Sequence, residues 1–278
     1  MIKWSHVPPE ALGTWRLLGA SLILFLIFLF KDGAKKIFQS LRENIQWILI
    51  TGTFFFFHLW SYFYSAQNTK IANCMILFAT NPLFTALGAY LIFREKLTKY
   101  LIISYALAIT GLYLLLSSTL QFNPHNLKGE IAGVISAFFY STYVLSSKKT
   151  RQNLNNWHFA IGIYAVCGVW FLLLSFVNSV PLTGYNERSW LGVLGTIIVP
   201  TFMGHAIFTY LMSYLNINWM SCGKLLEPVF SASIAYFLFA ETLNASTQIA
   251  FLFTFLAVLV LFYPKLTKVS VGTSNEKP

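Results

Sequence analysis

The chain is poor in charge. Of its 278 residues only 10% are Asp, Glu, Lys or Arg, where a soluble globular domain carries roughly 25%. Nineteen basic and nine acidic side chains cannot coat a water-soluble protein of this length. Cysteine is scarce as well. Cys74, Cys167 and Cys222 fall in three separate apolar stretches, with no CxxC pair and no His at zinc spacing. That excludes a disulfide scaffold and a structural zinc site, and the three read as buried thiols. No ATP-binding motif is present, so the chain is not an ATP-driven pump by itself, and no cofactor is implied. The formal net charge of +10 does not mark a nucleic-acid binder, because the basic residues gather in short loops between apolar runs. What the sequence has is apolar bulk: 56% hydrophobic, 18% aromatic, with 27 Phe. Disorder is excluded with it, and the class is an all-α integral membrane protein.

A helical crossing of the bilayer takes about 20 mostly apolar residues. Nine such stretches are readable: Ala11–Phe30, Ile45–Ser65, Ile71–Phe93, Ile102–Ser118, Ile131–Ser147, His158–Val177, Trp190–Leu215, Trp219–Phe239 and Thr247–Tyr263. The uncharged run from Ser189 to Gly223 is too long for one crossing, and Asn216-Ile-Asn218 is the expected turn within it. The side reached after the first span holds thirteen basic residues, among them Lys35, Arg94, Lys149 and Lys265, whereas the opposite side holds four: Lys3, Lys70, Lys128 and Arg188. The positive-inside rule then places the C-terminus in the cytoplasm and Met1 outside. No cleavable signal peptide is expected, because the first span is too long, carries Arg16 and lacks a small-residue cleavage site before Lys31.

Two segments repeat. Pro82–Leu97 aligns without gaps on Pro228–Leu243 at an offset of 146, with eight of sixteen positions identical. Shared apolar composition explains matched Leu and Phe but not matched Pro, Tyr and Glu. By the loop charges the two copies run in opposite directions, which requires an odd number of spans per unit. The second unit has five from Lys128 onward, so the first is expected to lack its opening helix, the native frame to begin upstream of Met1, and the complete protein to have ten. Inverted repeats of this kind mark secondary transporters, whose substrate site lies near the midplane between the repeats.

Asn81-Pro82 followed by Phe84, Ala86, Tyr90, Phe93, Glu95 and Leu97 resembles the motif ending the fourth helix of an EamA repeat, in the drug/metabolite transporter superfamily. Glu227-Pro228 with Phe230, Ala232, Tyr236, Glu241 and Leu243 resembles its ninth-helix partner, and Pro9–Ala20 with Arg16 resembles the opening of the second helix. The resemblance implies two inverted five-helix units. Nine of the ten family helices are present here, in a first repeat over 1–119, a second over 128–264 and a cytoplasmic tail over 265–278. The chain departs from the family at Ala257, the counterpart of Gly111, and at Lys224, which aligns with Phe78.

Ionisable residues inside the spans are few: Arg16, His58, His205, Lys224 and Glu227, with no Asp. Each needs a partner, a wet cavity or a function. Lys224 and Glu227, three apart, share a helix face. They either neutralise each other or line the cavity, with Lys224 meeting a substrate carboxylate or phosphate. Arg16, near the outer end of its helix, is expected to snorkel to the interface. His58 and His205 occupy equivalent places in the two halves, where an imidazole can relay protons or serve as a hydrogen-bonded packing residue. Pro82 and Pro228 each free a backbone carbonyl and permit a bend, as plain kinks or as part of a shared gate. Tyr62 and Tyr140, with Trp60 and Tyr64, could stack on a substrate ring or belong to the interface belt. Gly129 and Gly133 form a GxxxG. Asn244-Ala-Ser246 is a sequon on the outer face, irrelevant in a bacterium.

The expected substrate-binding set is therefore His58, Tyr62, Asn81, Pro82, Tyr140, His205, Lys224, Glu227 and Pro228. The expected function is secondary transport, by export or exchange, of small polar metabolites such as amino acids across a bacterial inner membrane. The partners are a small-molecule substrate and the lipid bilayer, with no nucleic acid and with room for a homodimer. A non-transporting paralogue is the alternative. An intramembrane enzyme is disfavoured, because Gly19-Ala-Ser21-Leu lacks the Gly a serine-protease turn needs and the spans offer no carboxylate pair.

Overall fold

The computed structural model describes residues 7–69, 74, 77–78, 80–94, 98–117, 127–152, 154–211, 214–215, 220, 248–249, 252–253, 255–257, 259–260 and 263, without the side chains of 112 and 115–117. Among these residues there is no strand. The helices are α1 (Pro9–Asp32), α2 (Ala34–Glu43), α3 (Ile45–Asn68), α4 (Asn81–Phe93), α5 (Lys99–Ser117), α6 (Leu127–Thr150), α7 (Asn156–Val177) and α8 (Glu187–Thr196). A π-helix, Ile197–Ala206, and α9 (Ile207–Leu211) follow α8 without a break. By length and apolarity α1, α7 and the run Glu187–Leu211 can each cross a bilayer. The protein is all-helical, and the first, second, fourth, fifth, sixth and seventh expected spans all coincide with described helices. Of the eighth only Met220 is described, whereas ten of the seventeen residues of the ninth are described and each is helical.

Local chemistry sets the helix limits. Pro9 opens α1, where its missing N–H costs nothing. Glu10 in its first turn and Lys31 in its last suit the helix dipole. Gly33, at φ +76°, makes the sharp turn into α2. Asn155 caps α7 by accepting the Trp157 N–H at 2.8 Å, and Asn186 caps α8 by accepting that of Ser189 at 2.9 Å. The short amphipathic α2 replaces what the sequence suggested was a basic loop. Its Ile37 is fully buried while Lys35, Lys36 and Arg42 are not.

Apolar side chains stand outward along most of these helices. Leu22, Leu26, Ile27 and Phe30 do so on α1, with Phe30 90% exposed. Such a surface is tenable only against lipid.

The chain divides into two compact units. One is built from Met1–Phe63 and Thr142–Leu215, the other from Tyr64–Ser141 and Asn216–Pro278. In the first unit α1 lies along α7, over a fully buried core including Leu12, Leu17, Phe159, Ile163 and Phe171. The helices approach closely at Gly168, where a Cβ would stand 2.7 Å from the Leu18 side chain and 2.9 Å from its backbone nitrogen. Ser21 donates across the same interface to the Ile161 carbonyl at 2.8 Å. Small residues and interhelical hydrogen bonds hold helices together where lipid supplies no hydrophobic drive. In the second unit Ala86, Leu101, Tyr105, Ala108 and Ala257 form a buried cluster, and Ser104 donates to the Ala257 carbonyl at 2.7 Å. The GxxxG is a packing surface there: a Cβ on Gly129 would meet the Asn68 backbone at 2.7 Å, and one on Gly133 would meet Leu77 at 3.0 Å.

Candidate functional site

In the first unit the site starts from a proline. In an α-helix the Thr196 carbonyl would accept the N–H of residue 200, but Pro200 has none. The helix widens to π geometry over Ile197–Ala206, a change often found at functional positions. In that register the Thr196 carbonyl faces residue 201, and the Thr201 hydroxyl donates to it at 2.9 Å. With its proton so used, that oxygen accepts from Arg16 Nε at 2.8 Å. Arg16 is 8% exposed. It is turned inward onto the π-helix and does not snorkel to the interface, because Thr201 offers it an acceptor inside the unit.

His205 stands four residues further along the π-helix. The Tyr143 hydroxyl lies 2.7 Å from its Nε2, and the Tyr164 hydroxyl lies 2.8 Å from its Nδ1. Phe55 stacks on the imidazole at 4.5 Å between centroids. A neutral imidazole has one donor and one acceptor, so one tyrosine donates to it while the other accepts; an imidazolium makes both accept. The three side chains therefore form a hydrogen-bonded chain whose polarity records the protonation of His205. His58 is also buried. Its ring lies 6.3 Å from Phe55 and 6.2 Å from Tyr62, so Phe55 stands against both histidines. Trp60 and Tyr64 are exposed, which places them on the lipid-facing side.

In the second unit Pro82 starts a helix rather than bending one. Leu77 and Phe78 are helical, Thr80 is a turn, and α4 begins at Asn81 with Pro82 in its first turn. Asn81 is 3% exposed. Its Nδ2 donates to the Phe78 carbonyl at 2.9 Å, while its Oδ1 is buried with no hydrogen-bond partner. Ser141 Oγ lies 2.8 Å from the Asn81 carbonyl and receives the Thr85 hydroxyl proton at 3.1 Å. Tyr140 is buried edge-on against Phe78, 5.3 Å between centroids. A helix interrupted at a polar residue with an open acceptor is how transporters expose backbone and amide groups to a substrate or ion. Lys224, Glu227 and Pro228 lie outside the described residues. Among the described residues no group of His, Cys, Asp and Glu is arranged to hold a metal.

Where the first unit meets the loops expected in the cytoplasm, His158 Nε2 lies 3.0 Å from Asp32, which also takes Lys36 Nζ at 3.2 Å. Desolvation pushes the Asp32 carboxyl up, but the hydrogen bonds from Lys36 and His158 outweigh it and hold the group below its ordinary value. Burial lowers the Arg151 guanidinium, against the pull of Tyr214, Tyr143 and Tyr210 nearby.

Sequence reasoning missed Arg16 as an inward-facing residue and missed Thr201, Tyr143, Tyr164, Phe55 and Ser141 altogether. The one available signal was Pro200, a proline inside an uncharged run.

The sequence model of the EamA-like transporter family matches residues 1–117 and again 127–263. An uncharacterized transporter of Archaeoglobus fulgidus is 25% identical over 206 residues, covering 73% of this chain and 71% of that one. One of Bacillus subtilis is 29% identical over 115 residues, 40% of this chain and 36% of its own. One of Clostridium kluyveri is 21% identical over 208 residues, 71% of this chain and 65% of its own. A solved crystal structure superposes with a TM-score of 0.78 over 92% of this chain and 89% of that one, at 17% identity, which establishes likeness of fold. With two matches that together span nearly all of its length, the chain belongs to the EamA-like transporter family and is a multi-pass membrane transporter.

Proposed function

We propose that this protein is a secondary transporter, an exporter or exchanger, of small polar metabolites such as amino acids across a bacterial cytoplasmic membrane. It has nine spans arranged as inverted repeats over 1–119 and 128–264, with the tail from 265 in the cytoplasm. The substrate contacts are drawn from His58, Tyr62, Asn81, Pro82, Tyr140 and His205, with Lys224, Glu227 and Pro228 assigned from sequence alone. A homodimer is compatible with this reading.

The observation that carries the proposal is His205, with a tyrosine hydroxyl on each ring nitrogen in a π-helix set up by Pro200. A titratable ring whose hydrogen bonds reverse on protonation can couple a proton to a change of conformation. Purified protein in proteoliposomes, given amino acids, nucleosides and phosphorylated metabolites in turn, should move at least one class, faster under an imposed pH gradient. His205→Gln should lose the acceleration by the gradient and keep substrate exchange. Failure to move any of the three classes would sink the transporter reading, and wild-type gradient dependence in His205→Gln would sink the coupling.

A further inference from the structure

We infer that Arg16 is the anchor for a carboxylate of the transported substrate; this rests on the transport reading above and names the substrate class it serves. The first unit contains four acidic residues, Glu10, Asp32, Glu43 and Glu187. None forms an ion pair with Arg16 among the described residues, where Asp32 pairs with Lys36 and His158. Glu10 accepts from Asn178 instead. Among the described residues the guanidinium makes one hydrogen bond, from Nε to Thr201, which leaves its terminal nitrogens to face something else. The residue as a whole is only 8% exposed. A cation with this burial and no counter-ion among the described residues is costly unless an anion visits it.

The geometry points to the chemistry of that anion. Because Thr201 occupies Nε, the side-on fork of the guanidinium is used, and the end-on pair of terminal nitrogens is the edge still open. That edge matches the two oxygens of a carboxylate. Charge favours the same answer. Arg16 is the single Lys or Arg in the apolar stretches Ala11–Phe30, His158–Val177 and Trp190–Leu215, and a monoanionic carboxylate neutralises it, whereas a phosphate dianion would leave a net negative charge in low dielectric. Thr201 is a positioning residue: it fixes the guanidinium plane, and the Thr196 carbonyl holds the Thr201 hydroxyl in place. Arg16 sits seven residues into α1, about 10 Å from the start of the helix, with His205 one turn beyond Thr201 along the π-helix. A carboxylate seated on Arg16 is thus placed on the same helix segment as the proton-responsive ring.

Isothermal titration of the purified protein in nanodiscs tests this, with L-threonine, L-phenylalanine, L-lysine and L-glutamate as probes, each against its decarboxylated amine. At least one acid should bind and its amine should not. Arg16→Gln should weaken that acid by about tenfold to a hundredfold, the worth of a charge-assisted hydrogen-bond pair. Arg16→Lys, which keeps the charge and loses the fork, should fall between the two and serves if Arg16→Gln does not fold. Thr201→Val should weaken the acid several-fold while leaving the acid-over-amine preference intact. Equal binding of acid and amine, wild-type affinity in the Arg16 variants, or no binding by any of the four acids would overturn the assignment. If the proteoliposomes nonetheless move nucleosides or another class, the transporter reading stands while the carboxylate anchor falls.

Discussion

A guanidinium at the centre of a transmembrane helix costs ~2.5–3.5 kcal/mol on insertion scales, so its surroundings say more about it than its place in the sequence. The expectation for Arg16 used only its distance from the helix end and gave an interfacial residue. The acceptor that draws it inward belongs to Thr201, 185 positions away, and no periodicity in the sequence connects the two. His205 illustrates the same limit. Its place in an apolar run was readable, but with 14 Tyr in the chain nothing selected Tyr143 and Tyr164 as its partners. Nothing in the sequence singled out Asp32, yet it ties the end of α1 to the start of α7 through His158. Its carboxyl lies below the ordinary 3.8 in the folded protein. A depressed carboxyl stabilises the fold above the unfolded value, and that contribution disappears as pH falls through the folded one. Asp32→Asn should therefore lower the melting temperature in detergent at pH 6. The gap from the parent protein should close once the pH drops well below 3.8. A gap that stays constant down to pH 2.5 would show that the ion pair contributes nothing.

At the scale of the element, helices were the most legible part. Charged residues bracket the apolar runs, and helices such as α1 and α3 overshoot the expected spans by only a few residues, because polar end residues such as Asp32 and Asn68 still satisfy helical hydrogen bonds. By contrast, α4 begins ten residues inside the expected Ile71–Phe93. Two elements were not legible. The amphipathic α2 was hidden by its basic residues, which counted as loop charge while Ile37 folded inward. The π-helix was hidden because hydropathy is blind to hydrogen-bond register; only Pro200 hinted at it. Packing between elements yields a sharper test. At Gly168 a methyl group would strike the Leu18 backbone nitrogen at 2.9 Å, whereas at Gly19 its nearest neighbour is the flexible Cδ1 of Ile197 at 3.0 Å. Backbone cannot yield without moving α1, but an isoleucine tip can rotate. Gly168→Ala should destabilise by about 1–3 kcal/mol. Gly19→Ala should stay within about 0.5 kcal/mol of neutral or gain slightly from helix propensity. Thermal unfolding of the two variants in the same detergent checks the ranking, and equal losses would mean that the α1–α7 contact is more plastic than its spacing suggests.

For the whole molecule, the sequence carries one global signal that packing does not, the unequal distribution of basic residues between loops. Thirteen against four is a strong bias, and it predicts an outer loop at Val177–Glu187 and a cytoplasmic one at Arg151–Asn155. Each offers a described, exposed position for a reporter: Thr183 in the first, Gln152 in the second. The native thiols Cys74 and Cys167 are buried, and replacing Cys222 with Ser removes the remaining one. In that background Thr183→Cys should react with a membrane-impermeant maleimide in intact cells, and Gln152→Cys only after the membrane is opened. The same orientation decides which way the proposed site works, since Arg16 lies towards the Thr183 side of its helix and Asp32 towards the Gln152 side. An acid entering from outside would then meet the guanidinium before the Tyr–His–Tyr chain, and one leaving the cytoplasm would meet it last. Labelling of Gln152→Cys in intact cells, with Thr183→Cys protected, would reverse that order and with it the expected cytoplasmic C-terminus.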